Sequence, residues 1–190
     1  LTLERFEEAL ANLDNAVKLK SDDSDAWYFR SIALLNLERY EDALASTEQS
    51  LKLKGDLSAA WENRGCALDE LGRYDEAIAS YDQAIEFQRD NSDAWYNRGI
   101  VLMKLERFEE AIASYDKCNE IRPDDSTTFY GKACCYAQLL NIKQAIFNLQ
   151  QAINMSPNQY QDMAKTDSDF DNIRSDEQFQ ALITPGSLIL

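Results

Sequence analysis

The sequence predicts an all-α solenoid of stacked helix pairs, and three observations carry that prediction. The three tryptophans, Trp27, Trp61 and Trp95, stand 34 residues apart, and one further step of 34 lands on Phe129. A second phrase returns with the same period, as Arg5-Phe6-Glu7-Glu8-Ala9, Arg39-Tyr40-Glu41-Asp42-Ala43, Arg73-Tyr74-Asp75-Glu76-Ala77 and Arg107-Phe108-Glu109-Glu110-Ala111. Within each period the apolar residues keep helical spacing, as at Phe6, Ala9, Leu10, Leu13, Ala16 and Val17. A fixed period of this length marks an array in which each unit buries its apolar stripe only against its neighbours.

In chain order, residues 1–20 read as the second helix of a half repeat. Full repeats follow at 24–57, 58–91, 92–125 and 126–157. Each opens with a first helix, the earliest over 24–37, and closes with a second helix at about 40–53, 74–87, 108–121 and 142–155. Ser24, Ser58, Ser92 and Ser126 precede the first helices and suit the N-cap position. The acids that follow Phe6, Tyr40, Tyr74 and Phe108 fall in the first turn of the second helices, where the helix dipole favours negative charge. Ser31, Gly65, Gly99 and Ala133, each four places after an anchor aromatic, are small enough to let a neighbouring helix come close. Residues 158–184 break the period. Tyr160, Met163 and Ala164 start a helix, and Ser175-Asp-Glu-Gln178 is a capping-box pattern before Phe179, Leu182 and Ile183. These residues are expected to cap the last repeat, with 185–190 as a tail or linker.

On Trp95, Gly99, Leu102, Ala111, Tyr115, Cys118 and Pro123 the pattern resembles the tetratricopeptide repeat, over about residues 1–157. The ending is similar to the tails that close some bacterial arrays of this family. The resemblance implies a right-handed superhelix of antiparallel helix pairs. Two departures stand out. The turn proline appears only at Pro123 and Pro157, with Ser21, Gly55 and Arg89 in the other turns. The residue three after each anchor, usually apolar, is Arg30, Arg64, Arg98 and Lys132.

Composition narrows function. The chain has 34 Asp and Glu against 19 Lys and Arg, a formal charge of −15, which repels nucleic acid and anionic membranes. It has no histidine, so imidazole acid–base chemistry, histidine metal sites and the usual triads are absent. Cys66, Cys118, Cys134 and Cys135 form no Cys-x-x-Cys pair and read as small buried thiols in a reducing cytoplasm. No apolar run is long enough to span a bilayer. Neither a phosphate loop nor a metal-ligand cluster is visible. Asp22/Asp23 and Asp69/Glu70 could offer oxygen ligands to a divalent cation, but adjacent acids in turns are usually only solvated. We expect no catalysis, no cofactor and no metal.

The charged departures have a counterpart. Thirteen residues before each anchor stands an acid: Asp14, Glu48, Asp82 and Asp116. If the second helix of one repeat packs on the first helix of the next, the pairs Asp14–Arg30, Glu48–Arg64, Asp82–Arg98 and Asp116–Lys132 form a ladder. The next rung would join Gln150 and Thr166, both uncharged. The same spacing also fits a solvated charged stripe, or pairing within a repeat, as of Arg30 with Glu48, which leaves Asp14 and Lys132 unmatched.

The resemblance implies that the first helices line a concave groove that takes a peptide. The residues it would place there include Tyr28, Phe29, Ile32, Leu35, Asn36, Glu62, Asn63, Cys66, Asp69, Glu70, Tyr96, Asn97, Ile100, Met103, Lys104, Tyr130, Cys134 and Gln138. Aromatic and aliphatic contacts beside the carboxylates Glu62, Asp69 and Glu70 suit a protein or peptide partner with apolar and basic residues. The tyrosines read equally well as groove wall. Members that grip a chaperone tail need lysine one place, and asparagine five places, after the anchor. This chain has Tyr28, Glu62, Tyr96 and Tyr130 at the first and Ile32, Cys66, Ile100 and Cys134 at the second, so an acidic carboxylate tail is not the expected ligand. Besides an adaptor, a spacer or self-associating scaffold is a second expectation, with a homodimer through the apolar face of residues 1–20.

Overall fold

The computed structural model describes residues 3–184; the tail expected at 185–190 lies outside them. The described residues form helices joined by short turns. In order they form α1 (Leu3–Leu19), α2 (Ser24–Asn36), α3 (Tyr40–Leu53), α4 (Ser58–Glu70), α5 (Tyr74–Phe87), α6 (Ser92–Lys104), α7 (Phe108–Ile121), α8 (Ser126–Gln138), α9 (Ile142–Met155) and α10 (Pro157–Thr166). A 3₁₀ turn at Ser168–Ile173 and α11 (Glu177–Ile183) close the chain. The architecture is a solenoid of paired antiparallel helices. It divides into two compact units, one ending at Val101 and one beginning at Leu102. Among the described residues no helix is long and apolar enough to cross a membrane.

Each helix pair turns back on a left-handed residue. Glu38, Gly72, Glu106 and Leu140 have φ of 56°, 72°, 58° and 56°. The residue after each donates its N–H five residues back into the first helix, as from Arg39 to Leu34 and from Arg73 to Leu68. This is a Schellman ending, which satisfies carbonyls that the helix itself leaves open. Only Gly72 adopts the conformation without steric cost. Asn141 before α9 accepts from the Gln144 N–H, whereas the arginines that open α3, α5 and α7 make no side-chain cap. Instead Arg39, Arg73 and Arg107 pair with Asp42, Glu76 and Glu110, three residues on, at 2.5–2.7 Å.

The N-caps of the first helices lie one residue earlier than the serines. Asp23, Asn91 and Asp125 accept from the N–H groups of Ala26, Ala94 and Thr127, and α4 follows Leu57, which has no such bond. Asp23, Leu57 and Asp125 hold the extended backbone that a cap needs, so the serine after each is already helical. Ser58 instead donates to the Ala84 carbonyl at 2.9 Å, joining α4 to α5. At α11 the cap is likewise Asp176, not Ser175: its carboxylate accepts from Gln178 and Phe179.

The missing turn prolines have a structural counterpart. The indole N–H of Trp27, Trp61 and Trp95 donates to the carbonyl of Ser21, Gly55 and Arg89, six residues back, at 3.0, 2.8 and 3.1 Å. Those carbonyls sit at the place where proline is otherwise expected. Phe129 has no such donor, and the residue six before it is Pro123; Met163 has none, and six before it stands Pro157, which opens α10. A turn is thus held by an indole or stiffened by a fixed φ.

Packing inside each unit is close. A Cβ on Gly65 would lie 2.6 Å from the ring of buried Tyr81, so this glycine is required by the approach of α5 to α4. In the second unit Tyr130 stacks on Tyr160 at 5.0 Å, and Phe170 lies against both Tyr130 and Phe179. With Leu149, Ile153, Ile173 and Ile183 these rings make one core, so the irregular ending covers the last repeat.

Two measurements follow from these contacts. Gly65→Ala should lower stability by about 1–3 kcal/mol through overpacking, read from denaturant midpoints. Trp95→Phe should cost about 1 kcal/mol by loss of its hydrogen bond, and adding Arg89→Pro to it should restore a part, on the order of 0.5 kcal/mol, by stiffening the turn.

Candidate peptide-binding face

Four cations stand three residues after the anchors, and their surroundings repeat. Arg30 Nε lies 2.7 Å from Asp14, Arg64 3.4 Å from Glu48, Arg98 2.7 Å from Asp82 and Lys132 2.5 Å from Asp116. The cationic side chains are 14–20% exposed and the carboxylates 37–52%, so each cation is drawn inward while its acid stays wet. Arg30 and Arg64 also donate to the buried hydroxyls of Ser46 and Ser80 at 2.6 and 2.7 Å. Each of these arginines therefore reaches 16 residues back and 16 residues forward. The serines were not singled out from the sequence, although they keep the same period. Arg30, Arg64 and Lys132 also lie 5.8–5.9 Å from the ring centres of Trp27, Trp61 and Phe129, within cation–π range.

The first helices of the first unit, α2, α4 and α6, carry most of the residues assigned to a groove. Tyr28, Ile32, Glu62, Asn63, Asp69, Tyr96, Asn97 and Ile100 are half-buried, while Phe29 and Glu70 are exposed. The face is cross-linked by polar contacts. Asn63 Nδ2 donates to Ser31 at 3.1 Å, Asn97 Nδ2 to Cys66 Sγ at 3.8 Å, and Asn91 Nδ2 to Glu62 at 2.9 Å. A depression of about 280 Å³ is lined by Leu35, Asn36, Tyr40, Cys66 and Glu70.

Electrostatics mark the centre of this face. Burial pushes the Cys66 thiol up to about 11; a hydrogen bond from Tyr81 works against it, and Glu62, Asp69 and Glu70 add to it. The three carboxylates thus all act electrostatically on one side chain, and Glu70 lines the same depression as it. The Tyr28 phenol is raised by partial burial first and by Glu62 second. Tyr40 is raised by burial first and then by Glu70, which its hydroxyl contacts.

Four assigned residues of the second unit, Met103, Tyr130, Cys134 and Gln138, do not belong to an open face. Tyr130 is only 7% exposed: Tyr160 and Phe170 cover its ring, and its hydroxyl donates to Asp167 at 2.7 Å. Cys134 and Gln138 are taken up likewise, the thiol near Asp167 and the amide on the Asp169 carbonyl. The chain's own 3₁₀ turn therefore occupies the place where the resemblance puts a ligand. Its sequence, off the repeat period, gave no sign of that path. Met103 is half-buried against the same core and accepts a hydrogen bond from Tyr115 at 3.3 Å. Cys134, Asp167 and Asp169 bring their ligand atoms within 4.8 Å of one another, but Tyr130 and the Asp169 amide already use the Asp167 carboxylate.

Comparisons with known proteins agree with this architecture. The tetratricopeptide repeat profile matches residues 1–57 and 62–126, and a second profile of the same description matches 126–159. The sequence has no match among curated proteins. Among solved structures, MamA superposes with a TM-score of 0.77 at 18% identity, over 81% of this chain and 90% of that one. MamA of Desulfovibrio magneticus RS-1 gives 0.75 at 21% identity, over 81% and 87%. YrrB, described as a tetratricopeptide repeat protein with an unusual peptide-binding site, gives 0.71 at 24% identity, over 82% and 80%. At these identities the likeness is one of fold.

The thiols give a pH test. Cys66, held near 11, and Cys135, pushed up to about 12, stay protonated in the folded chain at neutral pH. A raised thiol pKa contributes stability that is intact below the ordinary thiol value of about 8.5–9 and is lost as pH rises through the folded value. Stability should therefore fall between about pH 9 and 12. A thiol reagent at pH 8 should label the folded chain much more slowly than the denatured one.

Proposed function

We propose, from the premise that this chain belongs to the tetratricopeptide repeat family, that it is an adaptor whose first unit binds a peptide segment carrying both apolar and basic side chains. The family acts as a non-catalytic scaffold and adaptor, and this chain is not an enzyme. The observation that carries the finer reading is that Glu62, Asp69 and Glu70 all raise the Cys66 thiol, which shares a depression with Glu70 and Leu35, on a face that also offers the half-buried Tyr28, Ile32 and Ile100. A lysine or arginine placed there meets several carboxylates at once, while neighbouring aliphatic side chains enter the flanking apolar surface. Asn63 and Asn97 each use one amide hydrogen within the face and keep a carbonyl oxygen for a peptide backbone. The peptide-binding site of the similarly folded YrrB supports the class of activity. Nucleic acid and anionic membranes do not suit a chain of charge −15, and its four free thiols fit a cytoplasmic setting.

In the same reading the Asp14–Arg30, Glu48–Arg64, Asp82–Arg98 and Asp116–Lys132 pairs set the register of neighbouring helices rather than supply much stability, because half-exposed pairs contribute little. A second reading, self-association, is favoured by apolar exposure away from this face, which on α1 includes Leu3 and Leu19.

The test is a fluorescence-anisotropy titration with a short peptide of alternating leucine and lysine, and with its leucine–glutamate counterpart. The lysine peptide should bind, weaken as salt rises, and lose at least tenfold in affinity to a Glu62→Gln/Asp69→Asn/Glu70→Gln chain. Equal binding of both peptides, or no effect of the triple substitution, would refute the reading.

A further inference from the structure

The outward side of α9 departs from the pattern of every other second helix in the chain. Phe147 stands where the others carry alanine, at Ala11, Ala45, Ala79 and Ala113, all exposed. Leu140 stands where Glu38, Gly72 and Glu106 stand, and Lys143 where Glu7, Glu41, Asp75 and Glu109 stand. Four second helices thus fold with only an alanine methyl at the Phe147 position, so folding does not require a large apolar group there. Phe147 is nevertheless 56% exposed and Leu140 64%. Leu140 in addition holds a left-handed backbone, with φ of 56°, a conformation unfavourable for a residue with a Cβ. Exposed apolar area and backbone strain both oppose the isolated fold.

The charge of α9 departs as well. It is the one second helix without a carboxylate: its sequence, Ile142–Met155, holds a single charged residue, Lys143. The acid of the ladder position is Gln150 here. Counting in helical steps from Phe147, the outward stripe comprises Lys143, Phe147, Gln150, Gln151, Asn154 and Met155. Apart from Lys143 these are apolar groups and amides, and amides both donate and accept hydrogen bonds.

We infer that this face of α9 is a contact surface for a second copy of the same chain. Two chains of charge −15 repel each other over most of their surfaces, and α9 itself brings no carboxylate to the contact. The stripe is self-complementary in a twofold, antiparallel pairing of α9 with α9. Phe147 then lies near the axis, Leu140 meets Met155 of the other copy, and Lys143 faces Gln151 rather than a second Lys143. A single pair of 14-residue helices covers less than the about 1,200–2,000 Å² of a stable interface, so the association is weak and concentration-dependent.

Sedimentation velocity from micromolar to millimolar chain tests this directly. The expected result is a monomer–dimer equilibrium that tightens as salt is raised, because screening weakens the −15/−15 repulsion. Salt acts in the opposite sense on the binding of a basic peptide, which separates the two surfaces. Leu140→Glu with Phe147→Ala restores residues that the other repeats already carry, so the fold is retained, as checked by circular dichroism. That chain should dimerise at least tenfold more weakly. A short bismaleimide should join two Phe147→Cys chains and should not join two Ala113→Cys chains. A wild-type chain that stays monomeric throughout, a dimer indifferent to the double substitution, or equal cross-linking at both positions would each overturn the inference.

Discussion

A helix pair of this chain has an apolar stripe that only the next pair can cover, and everything else follows from that constraint. The tryptophans, the small residues and the repeated alanines serve it at fixed intervals. Gly65 shows how tight the fit is, since the Tyr81 ring fills the space that a Cβ would need. The same constraint requires an ending. Where the period fails after residue 157, Tyr160, Phe170, Ile173 and Phe179 supply the cover that a further repeat would have given.

A place that is apolar in related repeats is cationic here, and the chain accommodates the charge by sharing it. Arg30 and Arg64 each bond an acid 16 residues before them and a serine 16 residues after them. Their planar groups also lie beside the anchor rings. Guanidinium suits this position because it offers several donors in one plane and is weakly hydrated. An apolar residue there would drive association harder but accept any register that buried it. A charge with two fixed partners does not, which is the sense in which the pairs favour specificity over stability.

Much of this was legible in the sequence, because a solenoid repeats its contacts and each repeat checks the others. Helix spans followed from the period, and each acid and base of a rung stand at one recurring distance in sequence. What was not legible depended on atoms outside the period. Whether the cap is Ser24 or Asp23 turns on the backbone angles of a single residue. Tyr130 carries the same side chain as Tyr28 and Tyr96, but it lies under Phe170 and Tyr160 from the irregular ending. Its register pointed to a groove; only the path of residues 158–184 decided that the chain fills that place itself. Ser46 and Ser80 are periodic too, but a serine on a helix carries no mark that distinguishes a partner of arginine from a filler.

On the proposal above, the first helices of the first unit form the working surface. Hydrogen exchange of the full chain, with and without a saturating leucine–lysine peptide, is the decisive test. Added protection, and line broadening in a parallel NMR titration, is expected only at side chains and amides of α2, α4 and α6 around Tyr28, Cys66 and Ile100. Protection centred on α3 and α5, or on the second unit around Tyr130, with α2 and α4 unchanged, would contradict it.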